Sequence, residues 1–226
     1  MSGEGGGRAR YVAIITDGNG RWAQQRGVDV AAGHQAGADT VKARLKDAVT
    51  LGIEELTVYS FSTENWSRPD DEVAALMDMF AERILGETPE LDESGVRMRF
   101  VGRREGVDPN LVQLMEWAEE TTAHNTRITL FVAFNYGGRA ELVDAARGFT
   151  GTTEEEFAAR LYAPDMHPPD LLIRTSGEQR ISNFLLWQCA YSEFVFTPVL
   201  WPDFSRADLE GACREYEARG RRFGAR

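Results

Sequence analysis

The sequence predicts a single α/β domain: a central, mainly parallel six-stranded sheet flanked by helices. Three observations predict it. Short apolar runs alternate with segments of helical period along the whole chain, the pattern of a sheet covered on both faces. The 226 residues suffice for one full core, and no internal repeat or linker divides them. Three apolar runs end in turns rich in Gly, Ser, Asn and Arg, and strand tips are where open α/β sheets bind ligands.

Taken in order, residues 1–10 are polar and glycine-rich with no apolar signal core, which predicts a disordered tail ahead of a folded domain over residues 11–226. The predicted strands are Val12–Thr16, Glu55–Phe61, Arg97–Val101, Thr129–Phe134, Leu171–Arg174 and Phe194–Thr197. The predicted helices are His34–Leu51, Asp71–Leu85, Pro109–His124, Arg139–Phe149, Thr153–Leu161, Ser182–Ala190 and Ser205–Arg221. Val73, Leu76, Met77 and Phe80 recur at helical spacing behind Asp71, and Pro109 suits a first helical turn. Gly151–Pro169 carries prolines and glutamates and reads as an irregular surface connection.

Composition excludes several functions. A net charge of −11 argues against a broad nucleic-acid surface. No apolar run is long enough to span a bilayer. Cys189 and Cys213 have no metal or redox spacing. Reduced thiols and the lack of an export signal predict a cytoplasmic protein.

The most informative stretch is Tyr11–Trp22. An apolar strand delivers Asp17 to its tip, a Gly18-Asn19-Gly20 turn follows, and Arg21 opens a helix-like segment. Backbone amides and an arginine suit an anion, and a carboxylate beside a phosphate cradle calls for a divalent cation. The segment reads as a metal–diphosphate site, with Arg26 and His34 nearby. An aspartate that merely caps the next helix is the plainer alternative. Gly18–Ala23 also fits a loose dinucleotide fingerprint. However, the next strand comes too late for a compact βαβ unit, and Asp17 would face a pyrophosphate unshielded.

At a second strand tip, Ser62, Asn65 and Arg68 can hold a phosphate or a water, and Trp66 either packs on an apolar substrate or belongs to the core. At a third, Arg174, Arg180 and Ser182 form a second diphosphate clamp suited to guanidinium geometry, with surface pairing to Glu178 as the alternative. Glu193 lies among apolar residues, either as a metal ligand or as the partner of a buried arginine. His34 either donates to a phosphate or caps a helix. No Ser-His-Asp order or zinc spacing appears.

Seven motifs resemble those of the cis-prenyltransferase family, to which undecaprenyl diphosphate synthase belongs: Asp17–Trp22, Gly33-His34, Phe61–Trp66, Asn135–Arg139, Arg174–Glu178, Arg180–Trp187 and Leu200–Phe204. The resemblance runs from about Tyr11 to Gly224. It implies a sheet and helices around an apolar tunnel, a homodimer or related heterodimer, and Mg2+-dependent joining of an allylic diphosphate to isopentenyl diphosphate with release of pyrophosphate. It implies that Asp17 coordinates Mg2+, and that Gly18, Asn19, Gly20, Arg21 and His34 hold the allylic diphosphate, in a region that includes Trp22. Arg174, Arg180 and Ser182 would hold the homoallylic diphosphate. Ser62 and Asn65 would assist at the reacting centre beside Trp66. Glu193 would link to the metal, and Arg222–Gly224 would reach the partner subunit.

Three departures qualify this. Val30 stands where the family usually has an arginine that grips the allylic diphosphate, with Arg26 as a possible substitute. Phe134 stands where a small residue usually lines the tunnel, which implies early termination; Phe131 falls on the opposite face. Thr16 replaces a methionine before Asp17. Together they suggest a short-chain prenyl diphosphate synthase using dimethylallyl or geranyl diphosphate, leaning to irregular, lavandulyl-type coupling of two allylic units. The alternatives are regular elongation to a short or polyprenyl product, and a non-catalytic subunit supporting an active partner.

Overall fold

The computed structural model describes residues 7–219. Strands β1 (Tyr11–Ile15), β2 (Glu55–Ser62), β3 (Val96–Val101), β4 (Ile128–Tyr136), β5 (Leu171–Arg174) and β6 (Glu193–Phe196) form one sheet in the order β3-β4-β2-β1-β5-β6. All its pairings are parallel. Helices α1 (Asn19–Arg26), α2 (Val30–Leu51), α3 (Asp70–Glu93), α4 (Pro109–Thr122), α5 (Gly138–Ala146), α6 (Glu154–Ala158) and α7 (Arg206–Ala218) flank it.

The central strands read as continuous apolar runs because helices cover both faces. Ile14, Val58, Leu130, Val132 and Phe134 belong to the core on one face. Ala13, Ile15, Phe131, Ala133 and Tyr136 belong to the other. The chain leaves β1 toward one side of the sheet and β5 toward the other. The crevice between them is the topological switch point where such sheets take ligands.

The helix boundaries differ from expectation for local reasons. Helix α2 begins four residues before His34, because the Asp29 side chain accepts from the Ala32 amide and caps it there. Helix α3 continues through Pro89 to Glu93. The expected helix over Ser182–Ala190 is absent: the segment is a series of turns, with Ser182, Asn183 and Leu185 all at positive φ. Its backbone is drawn off the helical path by α5, where the amides of Gly138 and Arg139 donate to the Asn183 carbonyl and Oδ1 at 2.7 and 2.8 Å. Gln188, at its far end, donates to the buried Glu141 at 3.1 Å. No helix among the described residues is long and apolar enough to cross a membrane.

Candidate active site

Asp17 leaves the tip of β1 with its backbone pinned on three sides. Its amide meets Thr175 Oγ1 at 3.0 Å, and its carbonyl accepts from that hydroxyl at 2.6 Å and from the Trp201 amide at 3.0 Å. Gly18 then takes φ +116°, and a side chain there would press on Leu200. This left-handed residue starts α1, whose first amides have no partner within the helix, an arrangement that suits an anion. Gly20 has open space where a Cβ would stand. Gly33 explains the Gly-His pair: a Cβ on it would lie 2.4 Å from the Asn19 carbonyl, so only glycine lets α1 pack against α2.

Three strand tips converge here. Arg174, at the end of β5, donates to Asp17 Oδ2 at 2.9 Å and to Ser182 Oγ at 2.6 Å, with its side chain 5% exposed. Its Nη1 also donates to the Arg180 carbonyl. Arg21 approaches the same Asp17 oxygen at 3.7 Å and is held by Ser176 Oγ and the Ser176 carbonyl. Arg180 is exposed and pairs with Glu178. Asp17, Arg21, Arg174, Arg180 and Ser182 are thus brought together, and a guanidinium cluster of this density suits a diphosphate.

The tip of β2 continues into a 3-10 turn over Thr63–Ser67. Asn65 Oδ1 accepts from the Ser62 amide at 2.9 Å, so its side chain offers amide donors rather than a base. Trp66 donates to Asn135 Oδ1 at 2.8 Å and packs edge-on against Phe61. Arg68 pairs with Glu72 at 2.8 Å, and Glu72 lies 3.7 Å from His34 Nε2. That nitrogen is buried without a hydrogen-bond partner. Burial, and then the charge of Arg68, pushes the His34 pKa below its ordinary value. The Asn19 amide nitrogen lies 3.5 Å from Nδ1, and with Nδ1 as acceptor the proton sits on Nε2, which can then donate.

Several expected residues sit elsewhere. Trp22 and Arg26 are spent on a latch: both donate to Asp203, at 2.8 and 2.9 Å, and the Arg26 guanidinium lies over the Trp22 ring. Arg26 therefore does not replace the cation missing at Val30, which is 44% exposed. Thr16 donates to the Tyr59 carbonyl, tying β1 to β2. Glu193 begins β6 beside Leu171, whereas Phe196 at the far end meets Arg174. Parallel strands thus place Glu193 at the opposite edge of the sheet from Asp17, where it pairs with Arg219 at 2.8 Å. Within this chain the two acids share no ion. Phe134 is fully buried behind Phe61 and Phe80, at ring distances of 5.3 and 4.8 Å. It backs the cavity wall rather than lining it. The segment Arg222–Gly224 lies outside the described residues.

The cavity itself runs from Asp17, Asn19, His34, Ser62, Asn65 and Arg68 down between the sheet and the α2–α3 pair. Val58, Phe61, Leu130, Val132, Met98 and Phe100 form its floor, and Leu76, Met79, Phe80, Ile84 and Leu91 line it from α3. From Leu76 to Leu91 the α3 wall is roughly 22 Å long at ~1.5 Å per residue. Arg83 and Glu87 also line it. An i, i+4 charged pair interrupting the apolar stripe of α3 was the sequence signal for them.

No group of three His, Cys, Asp or Glu among the described residues could hold a metal alone. Asp17 nonetheless fits Mg2+, which keeps much of its water and is commonly held by one or two carboxylates together with substrate phosphates.

A cationic crevice at the carboxyl edge of a parallel sheet, opening onto a deep apolar cavity, defines an enzyme for an anionic head with a long apolar tail. The comparisons agree. A family model described as "Putative undecaprenyl diphosphate synthase" matches residues 15–224. Isoprenyl transferases of Caulobacter vibrioides and Thermotoga maritima are 46% and 48% identical, covering 99% and 95% of this chain and 92% and 96% of theirs. Lavandulyl diphosphate synthase from Lavandula x intermedia, solved with dimethylallyl diphosphate, superposes with a TM-score of 0.91 at 36% identity, covering 96% of this chain and 98% of that one. A probable undecaprenyl diphosphate synthase from Campylobacter jejuni gives 0.83 at 26% identity, over 96% and 99%. The chain belongs to the cis-prenyltransferase family and is a prenyltransferase.

Proposed function

We propose that the protein is a chain-elongating cis-prenyl diphosphate synthase. It joins an allylic diphosphate, such as dimethylallyl or geranyl diphosphate, to isopentenyl diphosphate and releases pyrophosphate. The observation that carries this reading is the apolar cavity that begins at Asp17 and runs the length of α3, with Phe134 outside it. Such a cavity has room for a tail that grows away from the charged site.

In this reading the allylic diphosphate lies at the start of α1, met by the Asn19–Arg21 amides, Arg21 and His34. The homoallylic diphosphate lies at Arg174, Arg180 and Ser182. The allylic C1–O bond breaks, a new C–C bond forms, and a proton leaves the added unit. Mg2+, held by Asp17 and diphosphate oxygens, would neutralise the departing pyrophosphate. Arg21 and Arg174 add fixed positive charge that needs no rearrangement as the bond breaks. The apolar wall keeps water from the electron-poor allyl group. An intact Asp17–Arg174 centre favours a catalytic chain over a supporting subunit. The protein would act in the cytoplasm, as a homodimer.

The test is product identification after incubation with Mg2+, geranyl diphosphate and isopentenyl diphosphate, and separately with dimethylallyl diphosphate alone. Elongated linear products in the first reaction support the reading. A branched C10 product in the second, with none in the first, supports irregular coupling instead. One observation favours that second reading: with Val30 exposed and Arg26 latched to Asp203, the allylic site lacks a guanidinium on α2.

A further inference from the structure

The α3 wall of the cavity is apolar at every position but two. Leu76, Met79, Phe80, Arg83, Ile84, Glu87 and Leu91 recur every three or four residues and so share one face. Arg83 reaches from this face across to α2. Its Nη1 lies 2.6 Å from Asp39 Oδ1 and 2.7 Å from Glu87 Oε1, and its Nη2 lies 2.7 Å from Gln35 Oε1. Just outside, Lys42 and Lys46 both pair with Glu90. At this level the seam between α2 and α3 is closed by charged side chains. Beyond His34, the α2 residues that line the cavity, Gly37, Ala38 and Val41, are small or short.

We infer that the Arg83–Glu87 pair sets the length of the product. The inference rests on the elongation reading above. Measured along α3, the pair begins roughly 10 Å below Leu76, and the cavity continues about 12 Å further to Leu91. Above the pair, each added isoprene unit gains by leaving water for an apolar wall. At the pair, hydrocarbon displaces the water that solvates a guanidinium and a carboxylate, and that desolvation opposes the gain. Growth therefore ends at Arg83 and Glu87, short of the end of the cavity, and Phe134 takes no part in ending it.

The test compares wild type with Arg83→Leu/Glu87→Leu, which removes both charges of the pair together and leaves Asp39, which is 67% exposed, to solvent, and with Arg83→Lys. Two readouts are taken. The first is product length from geranyl diphosphate with excess isopentenyl diphosphate. The second is equilibrium affinity for unreactive allylic thiolodiphosphates of increasing chain length. The double variant is expected to make products longer by one or more five-carbon units. Its affinity is expected to keep rising past the length where wild type levels off, while Arg83→Lys stays with wild type. Unchanged product length in a wild type that elongates overturns the inference. If wild type does not elongate, the elongation reading falls, and the affinity series decides alone: a break at the same length in both proteins overturns the inference. Should the double variant not fold, Glu87→Gln, which keeps size and removes charge, is read in the same assays with the same outcomes.

Discussion

Arg174 donates to the Asp17 carboxylate at 2.9 Å across the junction of β5 and β1. The guanidinium that would meet a diphosphate is thus held, without substrate, by the carboxylate that would meet the cation. In the proposed reaction, binding would exchange partners: Asp17 would pass to the metal and Arg174 to the phosphates. No charge is left bare at either stage, although Arg174 is almost wholly buried. A lone charge at such depth would be costly.

This exchange predicts the behaviour of two variants at one position. Asp17→Asn keeps an acceptor for Arg174, so its melting temperature should stay near that of wild type while Mg2+-dependent turnover falls on the order of 10³-fold. Asp17→Ala should be equally inactive and also less stable, because Arg174 loses its partner. Wild-type turnover in Asp17→Asn would remove the metal role from Asp17.

Val30→Arg places a guanidinium in the first turn of α2, beside the cavity mouth. Val30 is half-exposed, so the fold should tolerate the change, at a few tenths of a kcal/mol for a cation at a helix start. A new charged hydrogen bond to the allylic diphosphate is worth about 1.5–3 kcal/mol. The KM for the allylic substrate should fall by roughly tenfold or more, with little change in the KM for isopentenyl diphosphate. An equal fall in both would place the new charge between the two sites.

Phe134→Ala should act on stability. The ring is fully buried against Phe61 and Phe80, and removing such a ring costs about 3–5 kcal/mol. Urea unfolding should show that loss as a lower midpoint. Product length should stay put, and a longer product would return Phe134 to the cavity wall.

His34 should titrate below its ordinary 6.5, because burial and then Arg68 disfavour its charged form. The sign follows from linkage. Between the folded pKa and 6.5 the unfolded chain binds more proton, so stability contributed by neutral His34 is lost as pH falls through that window. A bound diphosphate dianion favours the imidazolium and reverses the shift. Calorimetry near pH 6 in buffers of different ionisation enthalpy should therefore record proton uptake on diphosphate binding, and His34→Gln should abolish it.

Much of the fold was legible because it is written in local patterns. The predicted strand Glu55–Phe61 is observed as Glu55–Ser62, and Leu171–Arg174 matches outright. Asp17, Ser62 and Arg174 were legible for the same reason, since each ends an apolar run, and parallel strands bring such ends to one edge. For Glu193 the sequence leaves a metal ligand and an arginine partner open; it begins its strand, and register carries it to the edge opposite Asp17, beside Arg219. Composition predicts a helix over Ser182–Ala190 because left-handed Ser, Asn and Leu leave no mark in it; hydrogen bonds from α5, distant in sequence, impose the turns. Phe134 lies on the expected face of β4, yet whether a ring lines a cavity or stands behind two others depends on Phe61 and Phe80, from two other elements. In the sequence Arg26 is available for an anion; Asp203, far along the chain, holds it.

The cavity between α3 and the sheet occupies a place that most domains of this architecture fill with their own side chains. Its walls are core residues with one side unpacked, so this enzyme's interior is finished only by its ligand. On the elongation reading, a growing prenyl tail would supply the missing apolar contacts. Each added unit should raise the protein's resistance to heat, and letting the product go then means reopening its own core. On that reading release, more than bond formation, would be the step that a warmer or more fluid surrounding hastens.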